Sequence, residues 1–155
     1  MYIDDINRVK YIGYNGGMIN IEDKIFKNFE NIKDDVHGEF GKVWQSEQHF
    51  LTHIEKRKRL KHITGKADYI QKTLDCLAES KEFIFAEHLN SWDNVCYNDK
   101  KDWAVVFNEH GNIMTSYKVE NEYTGFSAQH KSKGAKIIKG VPNEKFRKYF
   151  NSIRK

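Results

Sequence analysis

A chain of 155 residues with 39% hydrophobic and 14% aromatic side chains is long enough to bury a core without disulfide support, and it is expected to fold as one domain over residues 1–155. Its formal charge of +4, from 26 cations against 22 anions, is too small an excess to mark a nucleic-acid binder, so the distribution of charge matters more than its sum. The opening MYIDDINRVK lacks the apolar core of a signal peptide, and no run approaches the roughly 18 apolar residues of a membrane span; the expectation is a soluble protein, cytoplasmic in the producing or target cell.

Residues 2 to 12 are mixed in character, and GYNGG at 13–17 marks a turn. Ile25, Phe26, Phe29 and Ile32 recur at helical spacing, which predicts an amphipathic helix from Glu22 to Asp34. HGEFG at 37–41 is a break, and Lys42 to Gln45 reads as a short strand. Ser46 then stands as the N-cap of a helix running to Leu60, its hydroxyl placed to accept from a free amide of the first turn. A further helix covers Ala67 to Glu79, with Ile70, Leu74 and Leu77 as its buried stripe.

From there the pattern changes to sheet. FIFAEHL, WAVVF and NIMTSYKV are rich in aromatic and β-branched residues, and NEHG between the last two is a connector of hairpin length ending in glycine. A weaker strand is expected near Tyr123 to Ala128, and HKSKGAKIIKG reads as a basic loop. Val141-Pro142-Asn143 opens a final helix with Phe146, Tyr149, Phe150 and Ile153 on one face. Helices first and antiparallel strands afterwards give an α+β domain: N-terminal helices packed against a C-terminal antiparallel β-sheet, with a terminal helix. Cys76 and Cys96 have no metal-ligand spacing and are read as reduced thiols.

The segment HFLTHIEKRKRLKH, residues 49–62, is basic and carries three histidines. On a helix His49, His53 and Arg57 fall at successive steps of four and line one face, beside a buried face of Phe50 and Ile54. Histidines at i and i+4 suit a metal. Here Phe50 follows the first of them in place of the glutamate of a zinc metalloprotease helix, and no third ligand has useful spacing, so neither metal nor cofactor is expected. In NIMTSYKV, strand alternation places Ile113, Thr115, Tyr117 and Val119 on one face. Two hydroxyls on a largely apolar face need polar partners or a cleft to border.

The order of these motifs resembles a family. A helix with His53-Ile54-x-x-Arg57, an amphipathic helix, then paired apolar strands ending in Thr115-Ser116-Tyr117 looks like the phage-associated nucleases of the barnase, EndoU, colicin and RelE superfamily, over a core of about residues 44–120. Members commonly show His-Ile-x-x-Arg-His on a helix and Thr-Ala-Tyr on a late strand; here Lys58 stands in place of the second histidine and Ser116 in place of the alanine. The resemblance implies a metal-independent endoribonuclease, a toxin or phage or mobile-element effector that cleaves RNA by 2′-hydroxyl attack. His53 would be its acid or base, Arg57 its phosphate clamp, Thr115 and Tyr117 the orienting pair, and His49 a reserve proton carrier. A cognate immunity or antitoxin protein is a candidate partner.

Lys56, Lys58, Arg59, Lys61 and Lys66, with the later cluster Lys131, Lys133, Lys136 and Lys139, could track a phosphate backbone. Trp92, in the polar stretch NSWDN, is the aromatic expected to be exposed for stacking on a base. The competing reading is a non-enzymatic phage or mobile-element protein that uses this basic face to bind nucleic acid or a nucleoprotein partner. The two differ on whether His53 points into one cleft with Thr115 and Tyr117.

Overall fold

The computed structural model describes residues 2–3, 9–12, 18–19, 21–89, 91–120 and 125–154. Three short strands, β1 (Tyr2–Ile3), β2 (Val9–Ile12) and β3 (Met18–Ile19), pair antiparallel in that order. The turn expected at 13–17 lies outside the described residues. Helix α1 (Ile21–Glu30) buries Ile21, Ile25 and Phe29 completely, as their spacing requires, and stops at Glu30, short of the Asp34 expected.

Where a strand was expected over 42–45 the chain forms a 3-10 turn (Phe40–Val43) and then a single parallel bridge from Trp44 to Ile113, with the Gln45 amide donating to the Ile113 carbonyl at 2.8 Å. Phe40, Val43 and Trp44 are anchored in the core. Helix α2 (Glu47–Arg59) begins as expected at Ser46, whose hydroxyl accepts from the His49 amide at 3.0 Å. Helix α3 (Lys66–Ala78) carries the stripe Ile70, Leu74 and Leu77 into the core.

The sheet has five antiparallel strands: β4 (Ser80–Glu87), β5 (Trp92–Asn98), β6 (Trp103–Phe107), β7 (Ile113–Lys118) and β8 (Lys136–Gly140), in the order β7-β6-β5-β4-β8. Two strands correct the sequence reading. Strand β5 passes through the polar stretch that was given no element, because Val95 and Tyr97 on one face and Trp92 and Cys96 on the other are all buried. Strand β8 takes the second half of the expected basic loop. Its exposed Lys136 and Lys139 suit an edge strand, where charge discourages pairing with another chain. The strand expected near 123–128 is instead helix α4 (Gly125–Ser132) over its described part, with Phe126 buried on the sheet.

One face of the sheet, bearing Phe83, Phe85, Cys96, Val105 and Phe107, meets α1, α3 and the last helix, α5 (Glu144–Ile153), around a ring cluster of Phe29, Phe146 and Phe150. The other face, with Ile84, Ala86, Val95, Tyr97, Ala104 and Val106, is covered by Phe126 and Ala135. Helix α4 spans eight residues, so it covers only part of that face and leaves a cleft over β6 and β7. Cys76 and Cys96 are buried free thiols.

The NEHG connector lies at the tip of the β6–β7 hairpin, with Gly111 at φ +78° and its amide donating to Asn108 at 3.0 Å. A β carbon at Gly111 would stand 2.8 Å from the Lys24 carbonyl carbon and 2.9 Å from the Ile25 amide nitrogen, both backbone atoms of α1 that cannot turn aside. Gly111→Ala is therefore expected to lose at least about 2 kcal/mol, from left-handed strain plus the displacement of α1. An unchanged urea unfolding midpoint would contradict this docking of the hairpin on α1.

Candidate functional site

Strand β7 is an edge strand, and what fixes it is a buried polar knot around Ser116, which is 0% exposed. The Ser116 carbonyl accepts from Tyr69 Oη of α3 at 2.6 Å and from Arg57 Nε of α2 at 3.2 Å. Its hydroxyl accepts from Trp103 Nε1 at 2.8 Å and lies 2.8 Å from Thr73 Oγ1. Since the Thr73 hydroxyl proton goes to the Tyr69 carbonyl at 2.8 Å, Ser116 is the donor in that last pair. Both polar groups of Ser116 are thus satisfied, and the serine that replaces the alanine of the resembled motif links α2, α3 and β6 to β7. Burial pushes the Tyr69 phenol up to about 12, which keeps it a donor.

Beside the knot, a bulge changes the faces of β7. Val106 pairs with Thr115 but Phe107 pairs with Ile113, so Met114 is the extra residue. The expected alternation, with Ile113, Thr115 and Tyr117 on one face, is corrected here: Ile113 joins the helix-side core, while Thr115 and Tyr117 face the cleft. The bulge permits this reversal.

The cleft measures about 990 Å³, and His49, His53, Thr115 and Tyr117 all line it, with Lys118 and Lys133 as exposed cations at its border. His53 Nδ1 is 3.1 Å from Thr115 Oγ1, and the two histidine rings are 4.4 Å apart between centroids. His49 Nε2 donates to the Met114 carbonyl at 2.8 Å, so this nitrogen carries a proton. Burial, followed by the neighbouring His49, Arg57 and Lys56, lowers His53 to about 4. The neutral ring is thereby favoured at neutral pH. Burial also raises the Tyr117 phenol, partly opposed by its hydrogen bond with Tyr97 and by the Arg57 charge, so Tyr117 keeps its proton.

Arg57 is corrected from phosphate clamp to positioning residue. It is 7% exposed, does not line the cleft, and gives Nη2 to Thr115 Oγ1 at 3.0 Å while Nε holds the Ser116 carbonyl. Trp92 is likewise corrected: it is 3% exposed and packs against Phe85 with ring centroids 5.9 Å apart, so it offers no platform for a base. Lys56, Lys58, Arg59, Lys61 and Lys66 are exposed as expected, but none of them borders the cleft. Lys61 and Lys118 border a second hollow of about 310 Å³ with His62 and Trp103, so Lys118 lies at both.

The opposite wall carries residues that the sequence reading did not single out: Asp93, Gln129 and His130, with His88 next to His130. His88 has the parity of Ile84 and Ala86, and Asp93 that of Val95 and Tyr97, so the alternation of β4 and β5 does place both on the face α4 covers. That signal was missed with β5 itself.

Arg57→Ala removes two charge-assisted hydrogen bonds and a buried stem, and is expected to destabilise the fold by about 2–4 kcal/mol. Lys58→Ala, on the exposed side of α2, should stay within about 0.5 kcal/mol. Equal unfolding midpoints for the two variants would contradict the positioning role of Arg57.

Among known proteins, no solved structure matches the chain. A relative from Aquifex aeolicus (strain VF5), described as "Uncharacterized protein aq_aa01", is 33% identical over 69 residues, which is 43% of this chain and 51% of the relative. The chain thus spans about half the length of that relative. The family model carrying the description "Uncharacterised protein aq_aa01" matches residues 30–155, which take in every residue of the cleft, and the chain belongs to that family.

Proposed function

We propose that the cleft is the active site of a metal-independent endoribonuclease. The observation that carries this reading is that His53 shares one cleft with Thr115 and Tyr117 and is hydrogen-bonded to Thr115. RNA cleavage by 2′-hydroxyl attack needs a base for the hydroxyl proton, donors for the phosphoryl oxygens and a proton for the 5′-oxygen that leaves. A lowered pKa supports the base role over the acid role, because a ring that is neutral at rest has a nitrogen ready to take a proton and none to give up. Phosphate in the cleft would bring negative charge beside the ring and move its pKa back toward neutrality.

Thr115 Oγ1 accepts from Arg57 Nη2, and an oxygen with a second lone pair can also accept from His53 Nδ1–H. In that arrangement the Thr115 proton is free for a phosphoryl oxygen and His53 Nε2 is free to take the 2′-hydroxyl proton. As the 2′-oxygen forms its bond to phosphorus the bond to the 5′-oxygen breaks, and the Tyr117 hydroxyl, a protonated group lining the cleft, supplies the proton to the leaving oxygen on this reading. Lys118 and Lys133 balance the charge of the backbone. The products are a 2′,3′-cyclic phosphate and a 5′-hydroxyl.

The sequestration of Arg57 favours a second reading, in which a nuclease-like scaffold without a free guanidinium in its cleft binds nucleic acid or a nucleoprotein partner and cuts nothing. A scaffold alone does not decide between them. On the enzyme reading His53→Ala loses about a hundredfold to ten-thousandfold in cleavage rate, and an RNA oligonucleotide with one 2′-deoxy substitution at the cut site resists cleavage. If wild type and His53→Ala are equally inert while both bind RNA or a protein partner, the binding reading replaces it.

A further inference from the structure

Across the cleft from α2, three side chains with metal-ligating atoms converge. Among the described residues His88, Asp93 and His130 form a group whose ligating atoms all lie within 4.8 Å of one another. His88 Nε2 and His130 Nδ1 are 2.9 Å apart. Two imidazole nitrogens bound to one zinc ion at about 2.0–2.1 Å stand about 2.9–3.4 Å apart, depending on the angle at the metal. The observed separation, that of an imidazole–imidazole hydrogen bond, is also short enough for both nitrogens to reach a common ion with little movement.

Each residue is held by its own element. The His88 amide donates to the Ser91 carbonyl at 2.8 Å in the β4–β5 turn, and Asp93 lies in β5 opposite Ala86. The His130 ring rests on Phe126 at 4.4 Å between centroids, and its carbonyl closes the end of α4 by accepting from Lys133 and Ala135. Ligands on a strand, a tight turn and a docked helix need little rearrangement to close on an ion. All three are half-buried, and Asp93 and His130 line the large cleft.

We propose that His88, Asp93 and His130 bind a divalent transition cation of zinc's class, with a further coordination position open to the cleft. Two imidazoles and one carboxylate are the donor set that favours such ions over calcium or magnesium, which prefer all-oxygen sites. Three protein ligands leave a position for water or another small oxygen ligand. The site is distinct from the His49–His53 pair, and it stands whether or not the cleft cuts RNA.

The test uses the full chain, stripped of metal by chelation and titrated with Zn²⁺ in competition with a chromophoric chelator; Co²⁺ absorption serves as a second readout. The expected result is one ion per chain. His88→Ala, His130→Ala and Asp93→Asn should each weaken binding by more than about a hundredfold, since removing a mere supporting partner of a ligand already costs about ten- to a hundredfold. His49→Ala and His53→Ala should leave it unchanged. Circular dichroism of the metal-free variants checks folding, and His130→Gln, which keeps length and polarity beside Phe126, replaces any His130→Ala protein that does not fold. No stoichiometric binding by wild type would overturn the proposal, as would binding that survives all three substitutions or is lost in His49→Ala.

Discussion

The fold depends on how an edge strand is held against the helices, and the interaction that does this is the hydrogen-bonded knot at Ser116. An edge strand has one neighbouring strand in the sheet, so β7, like β8 at the opposite edge, is held by less of the ladder than the inner strands. Donors from α2, α3 and β6 all converge on it there. Buried polar groups that are fully paired specify one arrangement, whereas a half-paired set would cost more than an apolar substitute. Because Arg57 bonds both Ser116 and its neighbour Thr115, the same contact that fixes the strand also fixes a residue of the cleft.

Two further constraints turn this into a site. The bulge at Met114 turns Thr115 and Tyr117 away from the core that receives Ile113. The short α4 then covers the β4–β5 side of the sheet and leaves the β6–β7 side open. The resulting cleft has two unlike walls. One carries His49, His53, Thr115 and Tyr117; the other carries Asp93 and His130, with His88 behind. The first wall supports the proposed proton transfers, and the second the proposed cation.

Much of this was legible in the sequence, and the losses have physical causes. Periodicity found α1, α2, α3 and α5, the Ser46 cap and the NEHG hairpin, since each rests on local chemistry that a short window contains. Strand β5 was missed because Asp93 and Asn94 interrupt its apolar pattern; its stability comes from pairing with β4 and β6 on both sides, which no window shows. Trp92 was misplaced with it. The histidine, threonine and tyrosine of the first wall were identified by motif and do share a cleft. The burial of Arg57 could not be anticipated, because its partners are Ser116 and Thr115, 59 and 58 residues away. The second wall needed the tertiary contact between α4 and the β4–β5 turn, which brings His130 to His88 across 42 residues.

The central claim is that this scaffold holds His53 partly desolvated beside Thr115 and Arg57, and so uncharged, within the cleft. The direct measurement is an NMR titration of the His53 ring in the folded protein, followed through its nitrogen and carbon shifts. The account predicts that the ring stays neutral down to about pH 4, because burial and the nearby cationic groups oppose its protonation. A midpoint at the ordinary histidine value of about 6.5 would contradict it.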